Sequence, residues 1–128
     1  MSRVVLDASV ILAVLFEEPG AEVITDDLLT DALVSTVNLA EVQSKLVKMG
    51  ADPEDAWEDA LSLGVVPEPY STGQAKIAGT MIAKTKKSGL SLGDRSCLAL
   101  AIERKAEVYT ADRIWKNVKV GVPIHVIR

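Results

Sequence analysis

The sequence is poor in the side chains that most hydrolases use for nucleophilic or acid–base catalysis. Its 128 residues include one histidine, His125, and one cysteine, Cys97. A catalytic pair of histidines is therefore excluded, an internal disulfide cannot form, and the composition suits a reducing cytosol. We expect His125 to lie in the last strand. Cys97 is expected to be a buried apolar residue, since no second cysteine or histidine is placed to activate it.

Long apolar runs and nucleotide-binding signatures are also missing. No apolar run approaches the roughly 20 residues that would span a bilayer. Only three apolar residues separate Arg3 from Asp7, too few for a signal peptide, so we expect a cytoplasmic protein without membrane contact. The pattern G-x-x-x-x-G-K-[ST] is absent, which excludes a P-loop nucleotide hydrolase. With 48% hydrophobic residues, residues 1–128 are expected to form one domain with a substantial core.

The charge is divided unevenly along the chain. Residues 1–70 carry 14 acidic and 3 basic residues, a net charge of −11, whereas residues 71–128 carry 4 acidic and 11 basic residues, a net charge of +7. The overall charge of −4 argues against general affinity for nucleic acid. A basic second half can nevertheless present a local patch for phosphates. A solvated surface whose two halves attract each other explains the same pattern.

Short apolar, β-branched segments alternate with longer stretches of helical periodicity. Continuous apolar strands between helices are typical of a parallel sheet covered on both faces. The expected fold class is therefore α/β, a three-layer α/β/α sandwich with a short, mainly parallel central sheet. The expected strands are residues 3–6, 33–35, 65–66, 108–110 and 124–127.

Capping residues and glycines mark the expected helices. The start signals are Asp52 before Pro53, Ser71 with Gln74 in a capping box, and Ser91 with Asp94 in a second capping box. A short helix is expected from Gly20 to Leu29 and a longer one from Thr36 to Met49. The segment KTKKSGLSLG, residues 84–93, is expected to be a mobile loop.

Four acidic residues are expected at one end of this sheet, because ligands bind beyond the carboxyl ends of parallel strands. Asp7 directly follows the first strand, and Asp112 lies two residues past the fourth. Asp94 opens the helix that leads into the fourth strand, and Glu41 lies near the start of the helix after the second. Simpler explanations are helix capping for the three aspartates and an ordinary exposed position for Glu41.

The convergence of these acids predicts a metal site. Two carboxylates about 4 Å apart repel by roughly 4 kcal/mol at an effective dielectric constant of about 20. A cluster of them therefore either has raised pKa values or binds a cation. An all-oxygen cluster suits Mg²⁺ or Mn²⁺, whereas zinc sites usually include histidine or cysteine. Such a site supports hydrolysis of a phosphodiester, since bound metal activates water without a histidine.

Four segments, in this order and at this spacing, resemble the successive motifs of bacterial PIN domains, and most closely those of VapC-type toxins of toxin–antitoxin pairs. The segments are VVLDAS at 4–9, NLAEV at 38–42, LSLGDRSCLA at 90–99 and TADRIW at 110–115. A single motif such as D-A-S has little specificity. The ordered set of four is specific, and the resemblance covers nearly the whole chain.

The resemblance implies a Mg²⁺- or Mn²⁺-dependent endoribonuclease with four catalytic, metal-binding acids: Asp7, Glu41, Asp94 and Asp112. It further implies a homodimer and a cognate VapB-like antitoxin, whose extended segment lies across the active-site groove. The polar positions that surround the acids in the family are matched by Ser9, Asn38 and Thr110. Local capping or turn hydrogen bonding explains these three residues equally well.

Six basic residues near the expected site are candidates for contact with RNA. They are Lys84, Lys86, Lys87, Arg95, Arg113 and Lys116. The apolar residues Phe16, Leu28 and Leu29 are expected either to join the core or to receive an antitoxin helix. Trp57 and Trp115 are expected to pack in the core.

Other proteins with an aspartate after the first strand fit this sequence less well. A phosphotransferase of the haloacid-dehalogenase type would have a second aspartate two residues after Asp7, where Ser9 stands. A receiver-type signalling domain would have a phosphorylatable aspartate after the third strand, and residues 65–68 supply none. Two alternatives stay open: a non-catalytic PIN-like protein that regulates or binds a partner, and a DNA-directed nuclease.

Overall fold

Five short parallel strands form the centre of the structure, a computed structural model that describes residues 3–128. The strands are β1 (Val4–Leu6), β2 (Leu33–Ser35), β3 (Val66–Glu68), β4 (Glu107–Thr110) and β5 (Ile124–Val126). Their order in the sheet is β3-β2-β1-β4-β5, and every neighbouring pair is parallel. Met1 and Ser2, on which part of the signal-peptide argument rests, lie outside the described residues.

Helices cover both faces of this sheet. They are α1 (Ala8–Leu15), α2 (Asp26–Leu29), α3 (Thr36–Lys48), α4 (Pro53–Leu61), α5 (Thr72–Thr80), α6 (Ile82–Thr85) and α7 (Leu92–Arg104). Short 3-10 turns occupy Ala21–Val23, Lys86–Ser88 and Arg113–Asn117. None of the described helices is both long enough and apolar enough to cross a membrane.

The core is divided by the sheet into two apolar layers. Neighbouring residues of β1 show the division, since Leu6 belongs to the layer beneath α1, α3 and α4, whereas Val5 belongs to the layer beneath α7. Trp115 is fully buried in the second layer, and Trp57 packs against the first. Alternation of this kind is what a strand buried on both faces requires, and the predicted three-layer sandwich is confirmed.

Most predicted helix starts are present, with one difference in their hydrogen bonds. Ser91 and Asp94 form the complete capping box that opens α7. Ser71 accepts a hydrogen bond from the backbone N–H of Gln74, but the Gln74 amide donates to Glu103 (2.8 Å) instead of returning to Ser71. The capping box predicted at Ser71 is therefore only half formed, because the buried Gln74 amide donates to a carboxylate on α7 instead.

Three segments depart from the sequence-based expectation. The helix predicted from Gly20 to Leu29 is a 3-10 turn followed by α2, because Thr25 caps the N-terminus of α2 and interrupts the helix. The loop predicted over residues 84–93 is largely helical through α6 and the turn Lys86–Ser88, with Thr85 and Leu90 buried. Strand β3 extends through Pro67, which a strand at the edge of a sheet tolerates.

The topology brings the ends of β1 and β4 together. Leu6 pairs with Tyr109 in parallel register, so Asp7 and Thr110 lie side by side immediately beyond the paired residues. The N–H of Asp7 donates to the carbonyl of Tyr109 (3.0 Å), which holds the two strand ends in place. Helix α3 starts where neighbouring β2 ends, so its first turns lie beside the same edge.

Candidate metal-binding active site

Asp7 is the buried centre of the site. It occupies the position before α1, yet its side chain makes no capping hydrogen bond to that helix. Its exposure is only 4%. The simpler explanation of Asp7 as a helix cap is therefore wrong, and the cost of burying this carboxylate must be offset in another way.

Two hydroxyl groups hold one oxygen of the Asp7 carboxylate. Ser9 Oγ donates to Asp7 Oδ2 at 2.6 Å, and Thr110 Oγ1 donates to the same oxygen at 3.1 Å. Each hydroxyl in turn accepts a backbone N–H from the chain that leaves β4: Ser9 from Ala111 (2.9 Å) and Thr110 from Asp112 (3.1 Å). The directions of all four bonds are thus set by the backbone, and Asp7 receives two donors.

Asp112 lies on the same strand exit and performs a capping function. Its Oδ1 accepts the N–H of Ile114 at 3.0 Å, which starts the 3-10 turn Arg113–Asn117. The capping explanation given for Asp112 is therefore confirmed. Only Oδ1 is used in this way, and the side chain is partly exposed beside Ser9.

Glu41 is positioned by a buried asparagine and a glycine. Asn38, fully buried on α3, donates from Nδ2 to Glu41 Oε1 (2.7 Å) and to the carbonyl of Gly93 on α7 (3.1 Å). A Cβ on Gly93 would overlap the Glu41 carboxylate, with Cδ only 2.7 Å away. Glycine at position 93 therefore allows Glu41 to lie against the start of α7. Nothing in the local sequence indicates this role beyond a glycine next to a candidate acid.

Asp94 is shared between capping and the acidic cluster. Its Oδ2 accepts the N–H of Ser91 at 2.9 Å, and its own N–H donates to Ser91 Oγ at 3.2 Å. The capping explanation is therefore confirmed for Asp94 as well. Its position at the start of α7 nevertheless places it within electrostatic reach of Asp7, Glu41 and Asp112.

The acids affect one another's protonation. Burial, followed by the charges of Asp94 and Glu41, raises the pKa of Asp7 to about 6 against the hydrogen bonds from Ser9 and Thr110. Loss of water raises the pKa of Glu41, with Asp94 adding to the effect and Asn38 opposing it. Loss of water also raises the pKa of Asp94, although the hydrogen bonds from Ser91 lower it. Such mutual repulsion identifies a place where a cation is favoured.

The oxygen donors of the four acids suit Mg²⁺ or Mn²⁺, although their carboxylates do not surround a common point. Among residues 3–128, no three acidic, histidine or cysteine side chains stand close enough together to hold an ion as they are placed here. Mg²⁺ commonly uses only one or two carboxylates and keeps several of its waters. The oxygen-only chemistry, and an Asp7 Oδ1 that receives no hydrogen bond from the described chain, are compatible with such an ion.

Cys97 and His125 take no part in this arrangement. Cys97 is fully buried, and burial followed by the charges of Asp7, Asp94 and Glu41 raises its pKa well above the usual value. Its thiol is therefore unreactive, which confirms the expected apolar role. His125 lies in β5, bonds Glu107 through Nε2 (2.8 Å) and stacks on Tyr109.

Five of the six basic candidates are exposed, and Arg95 is half-buried. The exposed residues are Lys84, Lys86, Lys87, Arg113 and Lys116. The turn Lys86–Ser88 contacts the turn Arg113–Asn117, so these charges lie on adjoining segments. Arg95 instead donates from a terminal nitrogen to the carbonyl of Ala78 on α5 (2.9 Å), and its Nε is buried. The assignment of Arg95 to the RNA-contacting set stays a prediction, with one guanidinium nitrogen already used within the fold.

Comparisons with known proteins agree with this fold. Residues 4–121 match the family model of the PIN domain. The chain is similar to DNA-bound VapBC from Salmonella typhimurium, at 18% identity and a TM-score of 0.77 with 100% of each chain covered. It is also similar to VapBC2 from Rickettsia felis bound to a DNA fragment from their promoter, at 17% identity and a TM-score of 0.75 with 98% of each chain covered.

A third similar structure is VapC20 from Mycobacterium tuberculosis, described as a sarcin–ricin loop cleaving toxin. It shares 16% identity and a TM-score of 0.73, with 94% of this chain and 98% of that chain covered. At such identities the three likenesses establish a shared fold. No curated protein sequence matches the chain at a significant level.

Proposed function

We propose that this chain, which belongs to the PIN domain family, is an endoribonuclease that hydrolyses RNA phosphodiesters with bound Mg²⁺ or Mn²⁺. The observation that carries the proposal is the meeting of acids from four segments beside the ends of β1 and β4. Burial raises the pKa of Asp7, Glu41 and Asp94 there, and in each case a neighbouring acid of the four adds to the effect. The similarity to a toxin described as cleaving the sarcin–ricin loop supports RNA as the substrate.

The acids that would hold the metal are Asp7, Glu41, Asp94 and Asp112. When bound, the ion lowers the pKa of water and offsets negative charge on the scissile phosphate. Ser9 and Thr110 fix the Asp7 carboxylate from one side, which leaves its other oxygen for the ion. Asn38 holds Glu41 in the same way. These three polar residues therefore position the acids and do not contact the reacting atoms.

RNA would reach the acids across the adjoining basic segments. Lys84, Lys86 and Lys87 are exposed on α6 and the following turn, and Arg113 and Lys116 are exposed beside Asp112. Phosphate contacts by such side chains provide affinity without sequence specificity and make binding sensitive to salt. The concentration of positive charge in residues 71–128 supports this role.

We further propose that the chain is the toxin of a type II toxin–antitoxin pair. The similarity to VapBC complexes supports a VapB-like antitoxin as its partner, and the resemblance to VapC toxins supports a homodimer. We expect the protein to act in the cytoplasm, where its RNA substrate would be. Co-expression with the neighbouring open reading frame, followed by co-purification and light scattering, tests the partner and the oligomeric state.

The deciding experiment incubates antitoxin-free protein with a mixed RNA pool in Mg²⁺, Mn²⁺ or EDTA. The expected result is cleavage that requires metal and that Asp7→Asn abolishes. Asp27→Asn is the matched control, because Asp27 is exposed on α2 and belongs to no part of the site. Equal cleavage by Asp7→Asn would assign the activity to a contaminant.

Two further arms address the alternatives. Single-stranded DNA of the same sequences tests a DNA-directed nuclease, which would cleave it at least as fast as RNA. Failure of folded, metal-binding protein to cleave either polymer would favour a non-catalytic partner-binding protein. The double variant Lys86→Glu/Lys87→Glu should weaken RNA cleavage, whereas the charge-matched Lys48→Glu/Lys105→Glu, near the C-terminal ends of α3 and α7, should not.

A further inference from the structure

A groove runs from Asp112, beyond the end of β4, to the C-terminal ends of α1 and α3. It consists of two adjoining cavities that share Ser9 and Arg128. The cavity beside the acids has a volume of about 520 Å³ and is lined by Ser9, Ala111, Asp112, Arg113 and Arg128. The next has a volume of about 330 Å³ and is lined by Ser9, Leu12, Phe16, Glu18, Lys45, Met49 and Arg128. We refer to the two together as the α1–α3 groove.

Helical spacing connects this groove to the proposed metal site. Lys45 and Met49 follow Glu41 at intervals of four residues. The three therefore lie along one side of α3, from its second turn to its C-terminal end. Ser9, which donates to the buried Asp7, shares one side of α1 with Phe16, seven residues later. A single strand of RNA lying along the groove would therefore run from Phe16 and Met49 towards Ser9 and Asp112.

The groove is lined by three cations and two acids. The cations are Lys45, Arg113 and Arg128, and the acids are Asp112 and Glu18. Arg128 Nη1 donates to Glu18 Oε1 at 3.1 Å and to the backbone carbonyl of Pro19 at 3.2 Å. The backbone carbonyl of Arg128 accepts a hydrogen bond from Arg113 Nε at 3.2 Å. A partly exposed ion pair of this kind is held weakly. The exposed guanidinium of Arg128 can therefore turn from Glu18 and Pro19 towards a phosphate, giving up two surface hydrogen bonds.

The far end of the groove is apolar and partly open to solvent. Phe16, the only phenylalanine of the sequence, is 43% exposed, and Met49 is 60% exposed. Leu28 and Leu29, which the sequence grouped with Phe16, pack in the core instead. An exposed aromatic ring beside cations is the combination that stacks a nucleobase while the backbone phosphates are neutralised.

We propose that the α1–α3 groove binds single-stranded RNA on one side of the scissile phosphate. Arg128 and Lys45 contact backbone phosphates, and Phe16 stacks on a base. The inference rests on the proposed function, in which Lys116 and the lysines of α6 and the following turn would hold the RNA on the other side of the acids. Arg113, which lines the groove, would be shared by both surfaces. The inference assigns substrate contacts to Phe16, Lys45 and Arg128, which are not among the RNA-contacting residues predicted from the sequence.

The test measures binding apart from cleavage. Asp7→Asn protein is titrated into fluorescein-labelled, random-sequence single-stranded RNA in EDTA over a series of KCl concentrations. Arg128→Ala and Lys45→Ala should each reduce the slope of log affinity against log salt by about 0.7, the value for one phosphate contact on a single strand. Phe16→Ala should weaken binding about tenfold with little change in slope, and Phe16→Tyr should restore it.

Matched controls exist on the same chain. Arg104 also pairs with a glutamate, Glu68, but at β3 on the far edge of the sheet, and Lys48 is exposed on α3 outside the groove. Arg104→Ala and Lys48→Ala should leave affinity and slope unchanged, and Arg128→Lys should retain the slope of the Asp7→Asn parent.

The proposal would be overturned if Arg128→Ala, Lys45→Ala and Phe16→Ala bound RNA as tightly as these controls. That result would favour a protein segment as the occupant of the groove. The result is independent of catalysis. Absence of metal-dependent cleavage by the wild type would contradict the proposed function, whereas unchanged slopes in the Asp7→Asn background would contradict only the groove.

Discussion

The single carboxyl group of Asp7 couples the stability of the protein to the occupancy of its site. The unfolded chain ionises this group near its ordinary value of 3.8, whereas in the fold its pKa is about 6. The folded state therefore holds the proton more tightly than the unfolded state. The resulting stabilisation is present in full below pH 3.8 and is lost as the pH rises through 6.

We expect Asp7→Asn to stabilise the metal-free protein at neutral pH. A pKa difference of about two corresponds to roughly 3 kcal/mol, so the free energy of unfolding should rise by up to that amount at pH 8 and change little at pH 4. Urea denaturation in EDTA at both pH values measures the effect. Asp27→Asn, at an exposed position, should change stability by less than about 0.5 kcal/mol. A less stable Asp7→Asn protein at pH 8 would contradict the argument.

Gly93 separates catalytic geometry from stability. In Gly93→Ala the new Cβ would displace the Glu41 carboxylate, which can move because it ends a flexible side chain. Alanine also has a helix propensity about 1 kcal/mol better than glycine. We therefore expect unchanged or raised thermal stability together with a loss of cleavage of about tenfold or more, since even small misplacement of a catalytic group is costly.

A matched glycine replacement serves as the control for Gly93→Ala. Gly79, in α5, has nothing within 4 Å of the position its Cβ would occupy, so Gly79→Ala should change neither the structure of the site nor its activity. Calorimetry and single-turnover cleavage distinguish the two variants. Full activity in Gly93→Ala would show that Glu41 does not need its present position.

Individual residues could be predicted from the sequence where their roles depend on local order. Asp7 and Asp112 were found because each follows a strand. Gly93 was not, because its role is set by Glu41, which is 52 residues earlier in the chain. The hydrogen bond of Arg95 to α5 could not be predicted for a similar reason. Its side chain is drawn to the carbonyl of Ala78, and the packing of α7 on α5 that causes this has no local sequence signal.

Among secondary-structure elements, the junction of β1, α1 and β4 determines the site. Thr110 and Ser9 each accept a backbone N–H from the chain leaving β4 and donate to Asp7 at the start of α1. The two hydroxyls therefore join the ends of elements that are about 100 residues apart in sequence. Loss of either hydroxyl leaves a backbone N–H and a carboxylate oxygen with one partner fewer.

We expect Thr110→Val to affect both stability and pH dependence. Valine has the same shape but neither donates to Asp7 nor accepts from Asp112, so the free energy of unfolding should fall by about 1–3 kcal/mol. Because the lost bond lowers the pKa of Asp7, the acidic limb of the cleavage–pH profile should move to higher pH. Thr80→Val, on the exposed side of α5, should move neither quantity. An unmoved profile in Thr110→Val would contradict the role of the hydroxyl.

Elements were predictable where caps and periodicity agree, as in α4 and α7. Helix α1 received no bounds because its eight residues are apolar except for Ser9, so periodicity cannot distinguish a buried helix from a strand. Segment 84–93 was expected to be a loop from its lysines and glycines. Burial of Thr85 and Leu90 provides the tertiary contacts that make it helical instead.

In the folded molecule, the acidic half and the basic half of the sequence both border the proposed metal site. The acidic half supplies Asp7 and Glu41, and the basic half supplies Asp94 and Asp112 together with the exposed cations of α6 and the 113–117 segment. The topology of the sheet explains why the four acids could be predicted to converge. Their distances could not be predicted, because repulsion between carboxylates is not encoded in sequence spacing.

Divalent metal should therefore stabilise the whole molecule, and the effect should depend on pH. An ion that binds only the folded state at about 100 times its Kd adds about 2.7 kcal/mol, which for a chain of this size is a rise in Tm of roughly 10 °C. At pH 8 Asp7 is ionised and Mn²⁺ should raise Tm by this order. At pH 5, below the pKa of about 6, protons compete for Asp7 and the rise should shrink.

The variants Glu41→Gln and Asp112→Asn should lose most of the Mn²⁺ effect at pH 8, and Asp27→Asn should retain it. Differential scanning calorimetry of the same preparations at both pH values is sufficient to measure these changes. A rise in Tm of equal size in all variants would mean that the ion binds elsewhere, for example among the clustered acids of α4. A rise that is larger at pH 5 than at pH 8 would show that Asp7 is not a ligand, because protonation of a ligand can only weaken the binding of the metal.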